Sequence, residues 1–267
     1  MRSIAIAAVL TALPLAAPAA AATSILTPFS LTTNVYTQNF NTLAATGESD
    51  VLPAGFQIAE TGGSTTTVDG DYTAGTGSDT TGDTYSFGLA NDADRALGTL
   101  LSGSNEPLFG FVFSNGLGAA ITSLNFSFAG EQWRQVAGAA DRLDFQYRLG
   151  GGAVDTGSWI DFNSLDILAV STAATGAVNG NLAANRATYN GTISGLNIGA
   201  GQSFAIRFTD FNVSGSDAGL ALDDLTLNVV TAQNAAVPEP ATWAMMVAGF
   251  GLLGGALRRC AAPRALA

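Results

Sequence analysis

The order Asp210-Phe-Asn212-Val-Ser214-Gly215-Ser216-Asp217, followed by Asp223-Asp224, sets oxygen donors at alternate positions ahead of a glycine. A calcium loop begins this way, with every second side chain turning toward one ion as the chain bends at the glycine. The twelfth position of such a loop is Ala221, so the bidentate acid that closes an EF-hand is missing. In a β-rich chain Asp223 or Asp224 would have to replace it from the adjoining strand. Calcium takes six to eight oxygens. Asp210, Asn212, Ser214, Asp217, Asp223 and Asp224 offer part of that set, with carbonyls and water for the remainder. The same residues also suit an Asx-rich turn whose side chains bond their own backbone. Structural calcium and a solvated turn are the two expectations.

A second cluster, Gly130-Glu131-Gln132-Trp133-Arg134, puts an acid, an amide, an indole and a guanidinium side by side. Exposed, Glu131, Trp133 and Arg134 would suit a sugar, the indole stacking on a ring while the polar neighbours meet hydroxyls. The alternative is a buried Trp133 with Glu131 and Arg134 paired across strands. Asp141 and Arg142 follow just across the next hairpin and could join that network.

The chain has no histidine and no lysine; all ten basic residues are arginine. A Ser-His-Asp or Cys-His system, a histidine-ligated zinc, a Schiff base and a P-loop lysine are therefore excluded. A carboxylate pair acting on a glycosidic bond is left as the catalytic alternative, with Glu131 and either Asp144 or Asp223 as the pair. The expectation is that the protein is not an enzyme. Between Thr23 and Val237 six arginines face 20 acidic residues, a net charge of −14. Such a surface repels nucleic acid and favours divalent cations or neutral sugars.

The elements that would hold these groups are strands. Leu124, Phe126 and Phe128 alternate with polar residues, as do Leu143, Phe145, Tyr147 and Leu149, and Phe204, Ile206 and Phe208. Weaker strand signals fall at 35–40, 84–88, 109–113, 159–162 and 187–193, separated by Gly-, Ser-, Asn- and Asp-rich turns. The pattern predicts an all-β domain over 23–230, an antiparallel two-sheet β-sandwich of jelly-roll type. Residues 61–84 are so poor in apolar groups that a long surface loop is expected. In the last strand the apolar positions change parity between Leu222 and Leu225, which predicts a bulge at Asp223-Asp224. The run from Gly219 to Leu225 also resembles the closing strand of extracellular jelly-roll domains of the MAM and lectin-like groups. There, such an Asp-Asp pair implies a metal or an arginine beside the strand.

The two ends read differently. Met1-Arg2 leads into an apolar run from Ile4 to Leu15 and an alanine-rich stretch to Ala22, the pattern of a signal peptide over 1–22. At the other end, a linker over 231–236 precedes Pro238-Glu239-Pro240, Trp243-Ala244, an uncharged stretch over 241–257, and Arg258-Arg259. Seventeen residues at 1.5 Å each make about 26 Å of helix, just enough for a thin bilayer. A transmembrane helix over 241–257 is expected, with its basic end in the cytoplasm. The only cysteine, Cys260, lies in this tail, so the domain carries no disulfide.

Pro238, Glu239, Pro240, Trp243, Ala244, the glycine-rich span and the paired arginines resemble the PEP-CTERM sorting signal, over 237–260. The resemblance implies processing by an exosortase near the triplet, transient residence in the inner membrane, and the company of exopolysaccharide systems. Cys260 stands where that family usually carries further basic residues. The resulting expectation is an exported, non-catalytic protein of the cell surface or biofilm matrix, associated with exopolysaccharide. A carbohydrate-binding module with structural calcium is the alternative, and no nucleic-acid partner is expected.

Overall fold

The computed structural model describes residues 22–23, 27–62, 68–103, 105–138, 140–232 and 240–260. Residues 1–21 of the expected signal peptide, 233–236 of the expected linker, Pro238 and Glu239 lie outside these residues; Thr231 of that linker is the end of the last strand, and Ala22 and Thr23 pair with Glu60 and Ala59. Contacts divide the chain into one unit ending at Ala232 and a second beginning at Gln233.

Nine strands carry the first unit: β1 (Phe56–Thr61), β2 (Asp83–Phe87), β3 (Ala96–Leu100), β4 (Glu106–Asn115), β5 (Ile121–Gln135), β6 (Arg142–Leu149), β7 (Arg186–Ile198), β8 (Ser203–Asp210) and β9 (Gly219–Thr231). They form two sheets. The front sheet runs β1-β4-β8-β6 and the back sheet β7-β5-β9-β3-β2, with shorter strands added to each. From β3 onward the chain changes sheet at every connection, as a jelly roll does.

The expected sandwich is present, with two differences. Its sheets are mixed: Phe29–Leu31 runs parallel to the end of β4, and Tyr72–Gly75 runs parallel to β2. Residues 61–84 are also more than a surface loop. Tyr72 is fully buried, donates its hydroxyl to Val51 O at 3.1 Å and accepts from Ala44 N at 2.9 Å. One aromatic with both hydroxyl functions satisfied anchors a segment otherwise too polar to pack.

The core is aromatic. Phe208 of the front sheet stacks with Phe109 at 5.3 Å, meets Phe145 edge-on at 5.3 Å, and crosses to Phe128 of the back sheet at 5.7 Å. A second group lies on the outer face of the back sheet: Tyr85, Phe87, Ala96, Leu100, Trp133 and Ala221. Strands β1 and β3 are buried on both faces, so their sequences lack the alternation that betrays a half-buried strand.

Phe208 joins the two sheets with no disulfide to assist it. Phe208→Ala is expected to cost about 3–5 kcal/mol. In thermal unfolding that lowers the midpoint by about 10 °C or more. Leu182→Ala, at a position 54% exposed, is expected to stay within about 0.5 kcal/mol.

Candidate functional site

Two groups of acids are gathered at different places on the sandwich, and the residues named from the sequence are split between them. The first group lies where β6, β8 and β9 begin or end. Asp141 immediately precedes β6, Asp210 ends β8, and Asp217 lies in the turn before β9. One carboxylate oxygen from each lies within 4.8 Å of the other two. Asp141 accepts the amides of Arg142 at 2.7 Å and Ala218 at 2.6 Å. Asp217 accepts the amide of Val213, four residues before it, at 2.9 Å and so closes the turn. Asp210 accepts the Thr99 hydroxyl at 2.8 Å through Oδ2, while its Oδ1 is closed to solvent and meets no donor. Burial is the main reason these carboxyls shift upward, Asp141 to about 6, with repulsion from the neighbouring acids adding to it at Asp141 and Asp210.

Asn212 and Ser214 are exposed in the same turn. Asp223 and Asp224 do not join it, which corrects the expected ligand set. The predicted bulge is there: Ser127 pairs with Thr226 and Ala129 with Asp223, so Asp224 and Leu225 together oppose Phe128. Asp224 takes a left-handed backbone, with φ of 50°. The bulge sends Asp223 to the outer face of the back sheet, beside Glu131, and leaves Asp224 exposed 3.3 Å from Arg186.

Glu131 and Asp223 are therefore brought onto one face, as a catalytic pair would need, but both are buried, at 0% and 3% exposure. Glu131 accepts the indole N–H of Trp133 at 2.9 Å, and Arg186 reaches its other oxygen at 3.6 Å. No substrate ring fits between carboxylates closed to solvent, so this pair forms no hydrolytic cleft. Asp144 is on β6, held at 2.5 Å by Arg142.

The sugar-stacking reading of Glu131, Trp133 and Arg134 fails for the same reason. Trp133 is fully buried and lies parallel to Phe87 at 6.2 Å. Two glycines let the covering loops approach: a Cβ on Gly180 would sit 2.4 Å from the indole nitrogen, and one on Gly77 would sit 1.9 Å from Trp133 O. Arg134 donates to Gly77 O at 3.3 Å, which ties one cover down. Trp159 is half-buried, and the guanidiniums of Arg148 and Arg207 lie 4.5 and 4.4 Å from its ring centre.

A second acid group was not foreseen. Glu60, Asp69 and Asp83 also bring one oxygen each within 4.8 Å. Glu60 is fully buried and accepts four donors: the amides of Asp69 and Gly70, and the amide and hydroxyl of Thr84. With every acceptor site engaged, Glu60 is a staple for the chain around Gly70. No local spacing links Glu60 on β1 of the front sheet to Asp83 on β2 of the back sheet; only the packing of one sheet on the other brings them near.

Burial and the neighbouring Glu131 push the Asp223 carboxyl up to about 8. An unfolded aspartate titrates near 4. Between those values the unfolded chain has released a proton that the folded chain still holds, so rising pH favours unfolding. In chelator, stability is expected to fall from pH 5 to 8, with Asp223 contributing a slope of up to about 1.4 kcal/mol per pH unit. Asp223→Asn removes the titrating group and should flatten that part of the thermal midpoint's decline; an unchanged slope would contradict the assignment.

The C-terminal unit holds a helix, α1 (Pro240–Cys260), which contains Pro240, Trp243, Ala244, Arg258 and Arg259 of the sorting pattern. Its large apolar side chains Met245, Met246, Val247, Phe250, Leu252, Leu253 and Leu257 are exposed. Among the described residues no helix is long and apolar enough to cross a membrane. The helix expected over 241–257 lies within α1.

Searching curated proteins finds no match. Among solved structures, the chain is similar to the enzymatically active domain of bacteriophage CBA120 tailspike protein 4, at 11% identity and a TM-score of 0.34, over 66% of this chain and 19% of that one. It is also similar to the N-terminal CBM22-1-CBM22-2 tandem domain of Paenibacillus barcinonensis Xyn10C, at 15% identity and a TM-score of 0.33, over 77% and 47% of the two chains. A third is the K3 adhesin domain of Lys-gingipain from Porphyromonas gingivalis w83, at 12% identity and a TM-score of 0.34, over 73% and 91%. Likenesses this distant transfer no ligand and no activity. The family match is local, and it falls on the tail: residues 236–259 match the PEP-CTERM protein-sorting motif, so this chain carries that sorting signal behind a β-sandwich.

Proposed function

We propose that the protein is a non-catalytic surface or matrix module, exported, cleaved near Pro238-Glu239-Pro240 by an exosortase, and then associated with exopolysaccharide. The observation that carries this reading is the sorting motif at 236–259, set in a unit separate from the sandwich. Its helix leaves seven large apolar side chains uncovered, a surface that partitions to a membrane or to a membrane enzyme. The helix engages the bilayer only until cleavage, and the acidic sandwich is what persists outside. A domain of net charge −14 stays soluble and repels anionic lipid once that helix is gone.

Cells with and without the exosortase, and with and without their exopolysaccharide, test both halves of the proposal. With the enzyme, a shortened product is expected in the matrix fraction; without it, the full-length chain stays with the membrane. Deleting the polysaccharide should move the shortened product into the free medium. Identical products in both exosortase backgrounds would overturn the processing step, and an unchanged matrix fraction would overturn the association.

A further inference from the structure

Asp141, Asp210 and Asp217 come from three separate segments and meet at one end of the sandwich, with three oxygens within 4.8 Å of one another. None of the three takes part in an ion pair among the described residues. Backbone amides and the Thr99 hydroxyl hold them in place. Those donors are neutral, so they orient the carboxylates without cancelling the charge. An oxygen that accepts one hydrogen bond keeps a lone pair for a cation. Asp210 Oδ1 is shut off from solvent and meets no donor at all. Asp210 as a residue is half-buried, but a carboxylate oxygen closed to solvent and without a donor is costly unless something positive completes it.

The chemistry of the donors narrows what that is. Oxygen is the sole donor type offered, with no histidine in the chain and Cys260 in the separate C-terminal unit. Such a set selects a hard cation over zinc or copper. Two of the ligands flank an exposed turn, Phe211 to Ser216. A yielding turn suits calcium, which accepts irregular shells, better than magnesium, which demands an octahedron. There is also a way in. A cavity of about 170 Å³ is lined by Asp217, Ser216, Gly215 and Arg134, and one of about 250 Å³ by Asp210 and Asn212.

We propose that Asp141, Asp210 and Asp217 bind one calcium ion, which ties the end of β8 and the start of β6 in the front sheet to the turn entering β9 in the back sheet. Carbonyls of the turn and water complete its shell. The ion acts as the cross-link that a cysteine-free domain cannot make with a disulfide. Glu60, Asp69 and Asp83, whose buried acid is already saturated by donors, hold no such ion.

The test is thermal unfolding of the full chain, stripped with chelator and titrated with calcium chloride, with magnesium chloride in parallel. Calcium at about a hundredfold above its Kd should raise the midpoint by about 5–10 °C, with a clearly smaller rise for magnesium. Asp217→Asn, nearly isosteric and bonded to a single backbone amide, should weaken calcium binding by tenfold or more in equilibrium dialysis. Asp210→Asn provides the second variant should the first fail to fold. Asp224→Asn and Asp83→Asn should respond to calcium as the parent does. No midpoint shift and no retained calcium in the parent would overturn the site. So would a response lost in Asp83→Asn but kept in Asp217→Asn.

Discussion

The left-handed turn of the backbone at Asp224 is the constraint on which the back sheet depends. Without it, β9 would keep one phase, and either Leu220 and Leu222 or Leu225, Leu227 and Val229 would face away from the core. All five are buried in the same core cluster. A non-glycine residue in this conformation is disfavoured, and aspartate is among the few that tolerate it. The central strand β9 pairs with β5 along nearly its whole length and with β3 on its other side. The one extra residue therefore sets the register of three strands. It also decides which acid is buried, since Asp223 turns to the covered outer face and Asp224 to Arg186.

Arginine placement explains why so many carboxylates are left without a counter-charge. Arg95 is buried and donates to Ser86 and to Leu89 O. Arg148 holds Thr156 O and Ala153 O, Arg207 holds Val154 O, and Arg134 reaches Gly77 O. These guanidiniums fasten loops through backbone carbonyls, a task their fan of donors performs well. Arg142 and Arg186, by contrast, meet acids directly. The cost falls on the buried carboxylates, which respond by holding their protons to higher pH. A domain organised this way is most at ease in mild acid, or with a cation present to take the place of the proton.

The sequence made the sandwich legible wherever a strand has one wet face. The alternation at 124–128, 143–149 and 204–208 lies inside β5, β6 and β8, and the parity change in β9 located its bulge. Strands β1 and β3 escaped because both their faces are dry, and Tyr72–Gly75 escaped because a single tyrosine carries its burial. For the candidate site, Asp210 and Asp217 stood out through their spacing along one turn. Asp141 did not, since nothing in local order reveals that the chain before β6 returns to that turn; it was placed instead in a network with Glu131. Trp133 was misleading for a related reason. A strand's residue types do not say whether loops fifty residues away, made thin by Gly77 and Gly180, will cover it.

The division between the two units bears on how a sorting tail can be discarded safely. An apolar helix that packed into the sandwich would expose core on removal and leave an aggregation-prone scar. Among the described residues every member of the buried core precedes Ala232, and the last strand ends at Thr231. The sole cysteine sits beyond that point, so cleavage near the proline triplet also removes the only thiol that could mispair outside the cell. A domain that cannot rely on disulfides and must survive the loss of its tail needs its cohesion stored elsewhere. In this chain it is stored in the aromatic contact across the sheets, in amide-saturated carboxylates such as Glu60, and in the acidic junction of β6, β8 and β9. The last of these gathers carboxylates that form no ion pair among the described residues, which makes it a place where ambient ions can govern the stability of the exported form.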